Sequence, residues 1–152
     1  YSLMNRTQED ELFPMVRESG VGIMAYSPLG VGLLSGTYKP DEVPGESTLW
    51  GSIRKGTIAK YMQGRAGKVI AAVGEVASDL GASMPQVAIA WVMSHPEVTV
   101  AISGADTVEQ MKDVAGAIDL KLPSEAISKL DEVSYGMRAV LDGVPTEIAE
   151  EL

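Results

Sequence analysis

The chain has 152 residues, 45% of them hydrophobic and 22% charged, which suits one soluble domain with a real core. With 12 Lys+Arg against 21 Asp+Glu, its net charge of −9 repels phosphate backbones and anionic lipid. It argues against a general nucleic-acid or membrane binder. Cysteine is absent, which removes disulfide and thiolate chemistry and suits a reducing, cytoplasmic setting. No apolar run approaches the roughly 20 residues that cross a bilayer.

The first residues, YSLMNR, lack the basic start and apolar stretch of a signal peptide and do not begin with Met. The expectation is a chain that starts inside something larger. Thr7 and Asp10 can form a capping pair before a short helix over 11–19, with Pro14 in its first turn and Gly20 as a left-handed stop. Residues 21–26 are apolar, contain β-branched members and end at Ser27-Pro28, which reads as a short buried parallel strand. Residues 30–67 carry ten glycines and prolines between them, and a connection of that length is usually functional or mobile.

Two helices follow. Val69, Ile70, Val73, Val76, Ala77 and Leu80 recur at helical spacing over 68–80, ending at Gly81. Ser83 and Gln86 make a capping box for a helix through Val87, Ala90, Trp91 and Met93, closed by Pro96. Residues 98–102 read as a second buried strand. Asp106 or Thr107 can cap the next helix, which runs through Met111 and Val114 to Ala117. A last helix over 124–133 follows Pro123, and the tail from Tyr135 to Leu152 has no period. Strand and helix alternate as in an α/β protein, but two strands and one strand end are few beside five or six helices. An arc of a larger sheet or barrel explains that ratio.

Three places could carry chemistry. Residues 25–36 place Tyr26 at a strand end before Ser27-Pro28 and spaced glycines, able to pack a flat ring or offer amides to a phosphate. An ordinary strand, turn and loop is the plainer reading, and the glycines do not make GxGxxG. Residues 102–110 place a strand end before a capped helix, whose N-terminus attracts anions, although on pattern alone an ordinary βα turn with Asp106 as the cap is the favoured reading. His95, the one histidine, reads as a surface cap; with no Cys, it leaves no metal site and no Ser-His-Asp set.

Five blocks in order, YSLMNR at 1–6, GVGIMAYSPLG at 20–30, GLLSG at 32–36, PQVAIAW at 85–91 and ISGA at 102–105, resemble the second half of the aldo-keto reductases. The resemblance includes the branch of potassium-channel β-subunit-like reductases and runs to about Val133. It implies an α/β fold, the C-terminal portion (about strands six to eight) of a (β/α)8 TIM barrel. Residues 1–134 would be that half-barrel and 135–152 a tail on the substrate rim. Tyr1 would end strand six, with 21–26 as strand seven and 98–102 as strand eight.

The resemblance implies NADP(H), with NAD(H) as the alternative, bound across the C-terminal rim. Tyr26 would stack on the nicotinamide; Ser27, Pro28, Leu29 and Gly30 would line the pyrophosphate, and Gly32 would let the loop close. Gly104, Asp106, Gln110 and Asp113 match positions at the adenosine end. Family members commonly carry a cation where this chain has Thr37, Thr48 and Thr107. Asp106 and Val114 depart from the pattern too. The 2′-phosphate of NADPH would lack charge-assisted partners. The family's catalytic Asp, Tyr, Lys and His match no residue here, and His95 and Tyr61 fall outside the motif. The implied activity is reduction of small aldehydes or ketones by the intact parent, this chain supplying cofactor-binding elements. A non-catalytic cofactor-binding, scaffold or regulatory subunit, or an inactive fragment, is the alternative. A half-barrel also exposes strand faces that favour self-association.

Overall fold

The computed structural model describes residues 1–39, 42, 44–52 and 64–138. Tyr61 and most of the predicted rim segment, 139–152, lie outside the described residues. The elements are α1 (Leu12–Ser19), β1 (Ile23–Tyr26), α2 (Leu49–Ser52), α3 (Arg65–Leu80), α4 (Met84–Met93), β2 (Val98–Ile102), α5 (Val108–Ala115) and α6 (Ser124–Ser134). Single 3-10 turns occupy Thr7–Glu9, Leu33–Ser35 and Gly116–Ile118.

β1 and β2 pair in parallel, Met24 beside Val100 and Tyr26 beside Ile102, with an irregularity between Ile23 and Met24. Residue 1 is in no strand. Its main-chain nitrogen donates to the Tyr26 carbonyl at 3.0 Å, which lays it along the end of β1. The strands were expected to be buried on both faces; only one face is. Ile23, Ala25 and Val98 enter the core, whereas Met24 (68% exposed), Tyr26 (64%), Val100 (40%) and Ile102 (45%) stand bare on the other. Apolar residues occur on both faces because both are built to be covered, and here helices cover just one.

The core gathers Tyr1, Leu3, Met4, Phe13, Val69, Val73, Val87, Trp91 and Leu130. Within it, α4 packs on α3, β2 and α5, while α3 packs on α6. α4 is apolar nearly all round, and Val87, Ala88, Trp91 and Val92 are fully enclosed.

Local signals set several boundaries. Gly20 closes α1 at φ 70°. Ser83 accepts from the Gln86 amide and the Gln86 side chain accepts from the Ser83 amide, completing the predicted capping box of α4. The Ser83 hydroxyl also donates to Asp113 Oδ2 at 2.9 Å. Ser83→Ala is therefore expected to cost about 1–2 kcal/mol in urea unfolding, a lost cap plus a carboxylate left short of a donor.

Other boundaries differ. Thr7 does not cap α1: it opens the 3-10 turn and donates to Asn5 Oδ1 at 2.9 Å, while Glu11 precedes α1 as its N-cap without a side-chain cap bond. α3 begins at Arg65, three residues before the apolar period suggests, because Ala66 is also buried. Between Thr107 and Asp106, Thr107 is the cap of α5, in a second capping box with Gln110.

His95 is no surface cap. Its ring packs edge-on against Trp91 (centroids 4.5 Å) and Tyr1 (5.2 Å). Nδ1 lies 2.9 Å from the Trp91 carbonyl and Nε2 3.0 Å from the Tyr1 hydroxyl, which itself donates to Glu9. Burial first, then the Glu9 hydrogen bond and charge, push the Tyr1 pKa far up, so the phenol keeps its proton.

Candidate cofactor-binding rim

Parallel pairing sends both predicted site segments off the same edge. Tyr26 and Ile102 are register partners at the C-terminal ends of β1 and β2, so residues 27–36 and 103–110 leave side by side. In barrel and open parallel sheets this edge is where ligands sit.

Residues 27–36 form a strained, closely packed loop. Pro28 is fully buried, and Gly30 is buried so tightly that an added Cβ would lie 2.8 Å from Met4 Cγ. Ser27 (φ 58°), Gly30 (56°), Val31 (57°) and Gly32 (84°) are all left-handed. For β-branched Val31 that conformation costs roughly 1–3 kcal/mol and needs outside support. Support comes from Leu34 N–H to Leu29 O (3.1 Å), Leu33 N–H to Gly30 O (3.2 Å) and Trp50 Nε1–H to Val31 O (2.9 Å). The amide N–H groups of Leu29, Val31 and Gly32 are left without a protein acceptor among the described residues. These unengaged amides are the backbone groups that an anion at this loop would meet.

Tyr26 presents an exposed ring on the bare face of β1, at the head of this loop. On the β2 side, Gly104 has open space where a Cβ would be, and Asp106 is exposed. Gln110 and Asp113 are committed elsewhere. The Gln110 side chain accepts from the Asp106 amide (2.7 Å) and the Thr107 amide (3.3 Å), using its oxygen on the turn itself. Asp113 accepts from Ser83 Oγ and from Gln86 Nε2 (3.2 Å), which turns its carboxylate toward α4.

The structure thus brings Tyr26, Ser27, Pro28, Leu29, Gly30 and Gly32 into one unit, with Gly104 and Asp106 on the neighbouring turn. Gln110 supports that turn and Asp113 ties α5 to α4. Sequence reading passed over Val31 and Trp50. Val31 could have been suspected from its place between two glycines; Trp50 had no local signal.

Among the described residues no group of three or more His, Cys, Asp or Glu could hold a metal, and no helix is long and apolar enough to cross a membrane. A cleft of about 500 Å³ opens at the opposite end of the strands, beside Arg17, Gly22, Glu97 and Thr99. The Arg17–Glu97 ion pair there joins α1 to the start of β2 and has no part in the rim.

The model of the Aldo/keto reductase family matches residues 1–135, and the chain belongs to that family. It is 33% identical over 136 residues to the uncharacterized oxidoreductase YrpG of Bacillus subtilis (90% of this chain, 39% of that protein). It is 30% identical to a probable voltage-gated potassium channel subunit beta of Oryza sativa subsp. japonica (88% of this chain, 42% of that protein). It is 27% identical to an NADH-specific methylglyoxal reductase of Escherichia coli (90% of this chain, 41% of that protein). Among solved structures it is similar to a thermostable aldo-keto reductase, Tm1743, crystallised with the inhibitor epalrestat, at a TM-score of 0.62 and 28% identity. That match covers 88% of this chain and 37% of the other. The chain spans about two-fifths of the length of the curated relatives named here. Family and structural likeness together make the α/β fold that of the aldo-keto reductases.

Proposed function

We propose that this chain supplies the nicotinamide-nucleotide-binding rim of a carbonyl reductase, as the portion of the barrel around strands six to eight. The observation that carries the reading is the left-handed run at 30–32 with its unengaged amides, placed next to an exposed tyrosine ring at the end of β1. These residues fit the cofactor. Leu29, Val31 and Gly32 offer N–H donors to a pyrophosphate, Tyr26 offers a flat apolar surface to a nicotinamide, and open space at Gly104 admits the adenosine end.

When bound, a reduced nicotinamide supplies hydride to a carbonyl carbon. This chain's contribution is orientation: a ring held against Tyr26 presents one face, and the phosphate contacts fix its distance from the rim. The proton for the carbonyl oxygen comes from residues this chain does not hold, so the 152 residues alone are expected to be inactive. The substrates are small aldehydes or ketones, and a cytoplasmic setting fits the cysteine-free composition.

NADH fits this rim better than NADPH. Thr37, Thr48 and Thr107 stand where a 2′-phosphate would meet a cation, and Asp106 adds an exposed negative charge on the neighbouring turn. The printed name of the Escherichia coli relative agrees with that preference. A second reading, cofactor binding without catalysis, draws on the similarity to potassium-channel β-subunits.

Calorimetric titration tests the proposal. Saturable binding of NADH, tighter than NADPH, is expected, and Tyr26→Ala should weaken it by about tenfold, the loss of one aromatic contact of roughly 1–1.5 kcal/mol. Equal or tighter binding of NADPH would sink the NADH preference, and an unchanged affinity in Tyr26→Ala would sink the stacking role.

A further inference from the structure

We infer that Trp50 is a positioning residue of the phosphate-facing loop, its indole N–H holding the Val31 carbonyl so that the left-handed run at 30–32 persists. The inference rests on the reading of that loop as the nucleotide phosphate site.

Val31 is the one β-branched residue in the left-handed run, and nothing in its own sequence neighbourhood favours φ 57°. Main-chain bonds brace the loop on either side of it, through Leu29, Gly30 and Gly32. The Val31 carbonyl itself is held from outside by Trp50 Nε1 at 2.9 Å, across 19 residues of chain. Trp50 is 1% exposed, so its indole has little alternative partner in solvent. Tyr38 meets Trp50 edge-on, with ring centroids 6.4 Å apart, and also lies behind Gly32, where an added Cβ would be 3.5 Å from Tyr38 Cε2.

The segment that presents Trp50 is braced in part by its own hydrogen bonds. Thr48 N–H and Oγ1–H both donate to Gly45 O, at 2.9 and 2.8 Å, and Gly51 N–H donates to Thr48 Oγ1 at 3.0 Å. Gly51 packs so tightly that an added Cβ would lie 2.0 Å from the Gly45 carbonyl oxygen. A compact turn therefore carries one buried indole to one strained carbonyl. Docking of the 44–51 turn and the arrangement of the open amides become a single event, because the Val31 and Gly32 amides keep their disposition only while Val31 stays left-handed.

The test is a double-mutant cycle with a backbone readout. Trp50→Phe keeps the ring and removes the N–H; Val31→Gly removes the steric cost of the left-handed backbone. In Trp50→Phe, the Val31 Cα and Cβ chemical shifts should move away from left-handed values. NADH affinity by calorimetry should fall about five- to tenfold, the weight of one buried hydrogen bond. In the Val31→Gly background the same Trp50→Phe change should cost less than about twofold, because no strain remains to be held. A loss of equal size in both backgrounds would mean that Trp50 only fills space and would overturn the inference. So would Val31 shifts unchanged in Trp50→Phe.

Tyr38→Leu removes the ring contact but not the N–H and should leave Val31 left-handed. If it releases Val31 as fully as Trp50→Phe does, packing sets the turn and the inference fails. If the wild-type chain shows no saturable binding of NADH or NADPH, the cofactor reading fails, while the Val31 shifts still decide the Trp50 coupling.

Discussion

Arg6→Ala is expected to lower the unfolding free energy by about 2–4 kcal/mol, below the full cost of a buried pair because the partners are partly exposed. The Arg6 side chain is 9% exposed and its guanidinium fork is used on three sides. Nε and Nη2 grip the two oxygens of Glu9 at 2.7 and 3.0 Å. Nη1 donates to the Asp131 carbonyl and to Ser134 Oγ, both at 2.9 Å, and lies 3.4 Å from Asp131 Oδ1. The cation sits 5.2 Å over the Trp91 ring. Burial by itself would lower the Arg6 pKa, but the hydrogen bond and charge of Glu9, with Asp131 behind it, outweigh burial and raise it.

Removing this one side chain leaves Glu9 beside the Tyr1 phenol without its cation and frees the C-terminal turn of α6 from residues 1–9. Arg6→Lys should recover part of the loss and no more, since an ammonium cannot span Glu9 and Ser134 together. Chemical denaturation of the two variants beside wild type provides the check. A loss under about 0.5 kcal/mol in Arg6→Ala would place Arg6 among ordinary surface charges.

The second large effect concerns association. The 152-residue chain is expected to sediment as dimers or larger species. Among the described residues its sheet has two strands, the β1 edge being met only at its end by Tyr1, and one face carries Met24, Tyr26, Val100 and Ile102 in the open. Such a face is larger than isolated surface apolar residues usually present, and open parallel edges pair readily with another chain. Met24→Lys combined with Ile102→Lys places two charges on that face while leaving the helical side intact. The pair should shift the sedimentation distribution toward monomer. A monodisperse wild-type monomer would overturn this expectation.

Much of the local architecture was legible from the chain. The capping box of α4 was read from Ser83 with Gln86, a bond between residues three apart, whereas the choice of Thr107 over Asp106 and its box with Gln110 came from the structure. β2 falls on 98–102 as read, and Gly20 ends α1 as read, since short apolar runs and left-handed stops are decided by near neighbours. The ordered blocks from YSLMNR to ISGA carried the family, which the match over residues 1–135 bears out. Where local reading failed, a rival contact had won. Thr7 turned to Asn5, and Ala66 drew the start of α3 outward. His95 entered an aromatic cluster with Tyr1, 94 residues away.

Composition, turn chemistry and motif order were enough to establish the class of fold, the family and the strand-end tyrosine with its glycine-spaced loop. Three features needed the folded chain. The bare sheet face depends on which side the helices cover. The Arg6 cluster joins groups up to 128 residues apart, and Trp50 reaches Val31 across a loop whose sequence shows only breakers. Periodicity and capping report interactions within a few residues. Burial and long-range hydrogen bonds are properties of the packed whole, and they set which amides remain open to a ligand.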